Sequence, residues 1–160
     1  MKELYSEIEI DASAERVWGI LTDFASYPKW NPYIRRISGE PKVGERLEVR
    51  FEPPGSRGIT LKPKVLKAEP ERELRWLGHL LVAGLFDGEH TLAIQPLALE
   101  ENRVRFSQGE TFGGLLVPLF ARSLDKSTRR GFEEMNRALK ERAEVAPTDT
   151  NLHTSEKLHG

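Results

Sequence analysis

Leu4, Ser6, Ile8 and Ile10 alternate with Tyr5, Glu7 and Glu9 near the start of the chain. A period of two is that of a strand with one face buried. The period then lengthens. Ser13 stands at a helix N-cap position, Glu15 falls in the first turn, and Val17, Ile20, Leu21 and Phe24 gather on one side, which predicts a short amphipathic helix. In the stretch SYPKWNPYI, residues 26–34, Ser26 is placed to cap a second helix with Pro28 in its first turn. Asn31 precedes Pro32 and is held out of the helical region, so this helix spans about one turn.

Between Ile34 and Phe112 the pattern breaks into six strand-length segments. The turn signals between them are Gly39 to Gly44, PPGSRG at 53–58, Glu69-Pro70-Glu71, Asp87-Gly88 and Glu100-Glu101-Asn102. Connections this short predict antiparallel neighbours, a meander to which the first strand adds at an edge. Pro63 cannot donate to a ladder, and the apolar parity shifts near Val65 and Leu66, so a bulge is expected there. Val117, Ala121, Leu124, Thr128, Phe132, Met135, Leu139 and Ala143 then follow at steps of three or four, the stripe of one long helix. Its solvated side carries Arg130 with Glu134, Glu133 with Arg137, and Arg137 with Glu141. Residues 1–145 are read as one domain, and 146–160, without aromatics or periodicity, as a disordered tail.

One strand, two short helices, six strands and a long helix is an α+β order, in which a curved antiparallel sheet wraps the helix. The residues expected on the concave face include Leu47, Val49, Phe51, Trp76, Leu92, Ile94, Phe106 and Phe112. His90 shares parity with Leu92 and Ile94, while Gln108 and Glu110 share it with Phe106 and Phe112. A hairpin turn near Glu101 sets His90 opposite Glu110 or Phe112. Polar groups on an inner face either satisfy one another or line a wet cavity.

The 160 residues are 38% hydrophobic and 31% charged, enough for one core. A formal net charge of -1 argues against nucleic acid as a partner. The chain has no cysteine, hence no disulfide and no thiolate nucleophile, and its start lacks a signal-peptide apolar run, so a cytoplasmic location is expected. The longest apolar run, LLVAGLF at 80–86, is far short of the roughly 20 residues of a membrane span. His79 and His90 differ in strand parity and no ligand spacing appears, so neither a metal nor a cofactor is expected. Nothing has the form of a nucleophile elbow, a phosphate loop or a dinucleotide fingerprint.

IDASAERVWGILTDFASYPKWNPYI, FDGEHTLAIQP, QGETFGGLL and GFEEMNRALKERAE together resemble the START-like, birch-pollen-allergen-like superfamily (SRPBCC). Within it, the chain looks like the polyketide cyclase/dehydrase and lipid-transport group, over about residues 3–143. The resemblance implies a helix-grip fold, a seven-stranded antiparallel sheet around the C-terminal helix, with a cavity between them for apolar or amphipathic molecules. It also implies that loops act as gate and entrance. The apolar loops 80–86 and 115–120 suit a lid, a membrane surface or a partner through Leu81, Val82, Leu85, Phe86, Leu115, Leu116, Leu119 and Phe120.

The expected ligand-contacting residues are Trp30, Phe51, Trp76, Phe86, His90, Leu92, Phe106, Gln108, Glu110, Phe112, Phe120, Leu124 and Met135. Arg35 and Asn136 are possible further polar contacts. His90 and Glu110 serve as a polar anchor or as a general acid/base pair. SYPKWNPYI is read as a wedge at the closed floor, with Trp30 closing the bottom of the pocket. The leading reading is a binding protein for a small hydrophobic molecule such as a lipid, quinone or polyketide-like compound. The alternatives are a cyclase or dehydratase using His90 and Glu110, and an accessory module docking on a membrane or a redox enzyme.

Overall fold

β1 (Lys2–Ile10) keeps the predicted alternation, with Leu4 and Ile10 buried and Tyr5 exposed. A computed structural model describes residues 2–80, 82–97 and 102–145. Leu81, the hairpin tip expected near Glu101, the stretch read as a tail at 146–160, and the side chains of Ser123 and Leu124 lie outside the described residues. Ser13 caps α1 (Ala14–Thr22), its hydroxyl accepting from the Arg16 amide at 3.1 Å. α2 (Tyr27–Trp30) follows a 3-10 turn at Phe24–Ser26. Ser26 does not cap it: the residue is already helical, at φ -90° and ψ -6°, and its hydroxyl donates to Asp23 at 2.7 Å instead. Asn31 is extended, as Pro32 requires, and its side-chain oxygen accepts from the Tyr33 and Ile34 amides at 3.0 and 2.8 Å.

The expected single seven-stranded sheet is two sheets. One has five antiparallel strands in the order β1-β8-β7-β6-β5, using β5 (Lys64–Glu69), β6 (Glu73–His79), β7 (Asp87–Pro96) and β8 (Val104–Gly113). The other has three, β2 (Ile34–Ser38), β3 (Glu48–Phe51) and β4 (Ile59–Leu61). Pro63 is the reason. It lacks a donor, and the run read as one bulged strand splits there into β4 and β5. β3 pairs with β4, while the residues just before β3 pair with the proline and the residues after it, through Leu47 N to Pro63 O and Val65 N to Glu45 O, both 2.8 Å. The register shift between Val65 and Lys67 is the bulge that the parity change predicted.

The long helix is also in parts: α3 (Val117–Ser123), a π-helical segment at Leu124–Thr128, and α4 (Arg129–Glu144). Thr128, Phe132, Met135, Leu139 and Ala143 of the stripe are buried, against β1 and β8 among others. Arg16 holds the far end of α4, donating to the carbonyls of Ala143, Arg142 and Val145 at 2.6, 3.2 and 2.8 Å. A guanidinium there satisfies carbonyls that have no partner within the helix.

Candidate functional site

The strand register sets His90 directly opposite Glu110 on β8 and Trp76 on β6. One step toward the mouth, the inward positions are Gly78 and Gly88. Two missing side chains in one row open a cavity of about 270 Å³, lined by Tyr33, Phe51, Leu61, Leu80, Phe86, Phe112 and Phe120, with the carboxyl of Glu110 in its wall. Ser127 and Thr128 bring hydroxyls from the π-helical segment, and Pro53 and Ser56 come from the PPGSRG loop. The volume equals about nine waters in the liquid, room for a ligand smaller than most drug-sized ones.

Behind the cavity wall runs a chain of polar side chains. Glu110 Oε2 lies 3.1 Å from His90 Nδ1, and His90 Nε2 lies 3.1 Å from Gln108 Oε1. Gln108 Nε2 donates to Asn136 Oδ1 at 2.8 Å and is 3.5 Å from the Phe132 carbonyl, and Asn136 Nδ2 donates to Ser6 Oγ at 3.1 Å. His90, Gln108 and Asn136 are buried, while Glu110 retains 12% side-chain exposure. Trp76 stacks on the imidazole at 5.1 Å and Phe132 meets it edge-on at 5.3 Å, which fixes the ring plane. Tyr33 packs on Phe51 and Phe132. Burial first, and then the charge of Glu110, push its hydroxyl well above the usual phenol range, so it stays a neutral donor.

One end of the cavity, its mouth, is built from the PPGSRG loop, the 80–86 loop and the start of α3. Leu115 N donates to Gly84 O at 3.1 Å and Leu116 N to Leu85 O at 3.0 Å, joining the 80–86 loop to the start of α3. Phe86 sits between Phe112 and Phe120, at 5.7 and 6.0 Å between ring centroids. Asp87 ties the loop down, meeting His79 Nδ1 at 2.7 Å and accepting from Gly84 N. The hydrogen bond with His79, and then that from Gly84, hold its carboxyl below the usual range. Val82, Leu115 and Leu119 are more than 60% exposed on the outer side of this mouth.

Of the expected ligand contacts, Phe51, Phe86, Glu110, Phe112 and Phe120 line the cavity. His90 is one residue behind the wall, and Trp76, Leu92, Phe106, Gln108 and Met135 lie deeper, in the closed core. Leu124 has its side chain outside the described residues. Trp30 does not close the pocket: it lines a trough of about 1000 Å³ on the outside, between α1–α2 and α4, with Glu15, Asp23, Lys29, Glu141 and Arg142. That trough is larger, and neither His90 nor Glu110 lines it. Arg35 braces α2 instead, donating to Asn31 O at 2.8 Å and Pro28 O at 3.3 Å. Tyr33, Leu61, Gly78 and Gly88 were not anticipated in the lining; the two glycines share parity with Trp76 and His90, which was the available signal. Among the described residues no group of three or more His, Asp or Glu side chains is placed to hold a metal ion, and no helix is long and apolar enough to cross a membrane.

The fold recurs in solved structures. A START superfamily protein from Mycobacterium smegmatis is 22% identical, with a TM-score of 0.65 over 89% of this chain and 97% of that one. XoxI from Bacillus cereus is 19% identical, with a TM-score of 0.67 over 89% and 96%. The di-domain ARO/CYC BexL from the BE-7585A biosynthetic pathway is 13% identical with a TM-score of 0.67, the match covering 91% of this chain and 51% of that longer one. No curated protein matches the chain. A family model described as polyketide cyclase / dehydrase and lipid transport matches residues 1–144, and the chain belongs to that family.

Proposed function

We propose that the protein binds a small, mostly apolar molecule bearing one polar group, held in the cavity between the sheets and the C-terminal helix. The observation that carries this reading is a pocket with aromatic and leucine walls around one carboxyl, Glu110, backed by His90. The family description, which includes lipid transport, supports it. N-phenyl-1-naphthylamine, a neutral probe that brightens in apolar surroundings, tests it. Wild-type protein is expected to bind the probe. Gly78→Leu, whose Cβ would stand in ordinary contact with Pro63 and Leu61 at 3.5 and 3.7 Å and whose remaining atoms would occupy the cavity, is expected to weaken binding at least roughly tenfold with the fold intact. Equal binding by both proteins sinks the reading.

The cyclase or dehydratase reading is favoured by one observation, the 3.1 Å contact of Glu110, in the cavity wall, with the imidazole behind it, which would support proton transfer between Glu110 and a bound molecule. Its discriminating result is loss of turnover of a poly-β-ketone surrogate in His90→Ala while probe binding survives. Docking on a membrane or a redox enzyme draws on the exposed Val82, Leu115 and Leu119. Vesicle flotation and pull-down, compared between wild type and Phe86→Glu/Phe120→Glu, separate it from the other two.

A further inference from the structure

The polar chain behind the cavity fixes where protons sit, and that determines what Glu110 presents to a ligand. Gln108 has its nitrogen toward the Phe132 carbonyl and Asn136 Oδ1. Rotating the Gln108 amide alone by half a turn would set its Oε1 2.8 Å from Asn136 Oδ1 and 3.5 Å from the Phe132 carbonyl oxygen, acceptors facing acceptors with no hydrogen between them. With Asn136 Oδ1 turned to Gln108 in this way, Gln108 Oε1 faces His90, and His90 Nε2, at 3.1 Å, carries the hydrogen donated to it. One arrangement is thereby removed: the neutral imidazole protonated on Nδ1 alone.

Two arrangements remain when the pair holds one shared proton. Either Nδ1 is protonated too and donates to an ionised Glu110, or Nδ1 is a bare lone pair and Glu110 Oε2, 3.1 Å away, carries the proton and donates it. In both, the proton lies between Nδ1 and Oε2. The second oxygen, Oε1, stands in the space that a side chain on Gly88 would take, 2.7 Å from an added Cβ, and Gly88 and Glu110 both line the cavity. It has no hydrogen of its own in either arrangement. Had Nδ1–H been available in a neutral ring, Oε2 could accept from it and Oε1 could hold the proton; the Gln108 contact excludes that case.

We propose that Glu110 Oε1 is a fixed hydrogen-bond acceptor facing the cavity, that the ligand's polar group is accordingly a hydroxyl (an alcohol, phenol or enol), and that Gln108 and Asn136 are the positioning residues that impose this. The inference rests on the cavity being a binding site. A carboxylate oxygen without a proton offers nothing to a ketone or an ether oxygen, and leaving it desolvated against such an oxygen is unfavourable. The chemistry thus distinguishes a hydroxylated aromatic from its methylated counterpart of almost the same shape.

The test is a matched pair, 2-naphthol and 2-methoxynaphthalene, each titrated by displacement of N-phenyl-1-naphthylamine and by calorimetry. Wild type is expected to bind the naphthol roughly tenfold or more tightly than the ether. Glu110→Leu should bring the two within about twofold of each other. Glu110→Gln should keep the preference, because its amide nitrogen donates to the Nδ1 lone pair and its oxygen remains toward the cavity; an imidazolium buried without an anion beside it is costly. Probe binding with equal or undetectable affinities for the naphthol and the ether overturns the inference and leaves the binding reading standing. Absence of probe binding as well overturns both. The wild-type comparison needs no variant to fold.

Discussion

Tyr27 and Tyr33 carry phenol hydroxyls into the interior from a stretch of seven residues, and both resist ionisation. Tyr27 donates to Leu21 O at 2.6 Å, and burial, reinforced by the charge of Asp23, raises it far above the usual 10.0. Tyr33 is raised from the same value by burial and then by Glu110. Folding therefore retains protons that the unfolded chain loses above pH 10, so stability is complete below that pH and declines as pH rises beyond it. In an alkaline titration, tyrosinate absorbance from these two residues is expected to appear only with loss of the folded circular dichroism, as one cooperative step. Gradual growth while the fold persists would contradict the burial assigned to them. SYPKWNPYI was read as a wedge because two prolines and three aromatics restrict and fill a turn, and its Tyr27 and Tyr33 are buried. Which aromatic reaches the cavity was not legible, since that depends on how the chain passes from α2 into β2: Tyr33 lines the cavity and Trp30 lines the trough beside α1.

The mouth turns on Gly114, whose φ of +108° suits glycine, and a Cβ there would fall 2.6 Å from Leu85 O. Gly114→Ala is expected to cost about 1–3 kcal/mol and to speed hydrogen exchange at the Leu115 and Leu116 amides, which are bonded to the 80–86 loop. Amides of the β7–β8 ladder should keep their protection; if they lose it equally, the loop and sheet unfold as one unit. Elements of this kind were legible unevenly. The periods of two and 3.6 located strands and helices, and parity placed His90, Gln108 and Glu110 inside, because alternation is a local property. Pro63 announced a broken ladder, yet whether the halves stay in one sheet is decided by their distant partners in β3 and β6. The π-helical segment was hidden because the stripe's steps of three and four run through it without interruption.

At the scale of the molecule, the cavity is a region the pattern could not announce, being made partly of what is missing at Gly78 and Gly88. Its walls come from both sheets and from the π-helical segment, and its outer end is closed by Phe86 against Phe120. Phe120 is 45% exposed, so it is held by one face alone and is the cheaper of the two rings to move. Phe120→Ala is expected to cost about 1 kcal/mol of stability, well below a core phenylalanine deletion. If this is the gate, stopped-flow mixing with N-phenyl-1-naphthylamine should show association and dissociation both accelerating severalfold, with affinity changing much less, because a gate ring sets the rate of passage more than the depth of the site. Rates unchanged in Phe120→Ala would mean that ligands enter elsewhere than past this ring.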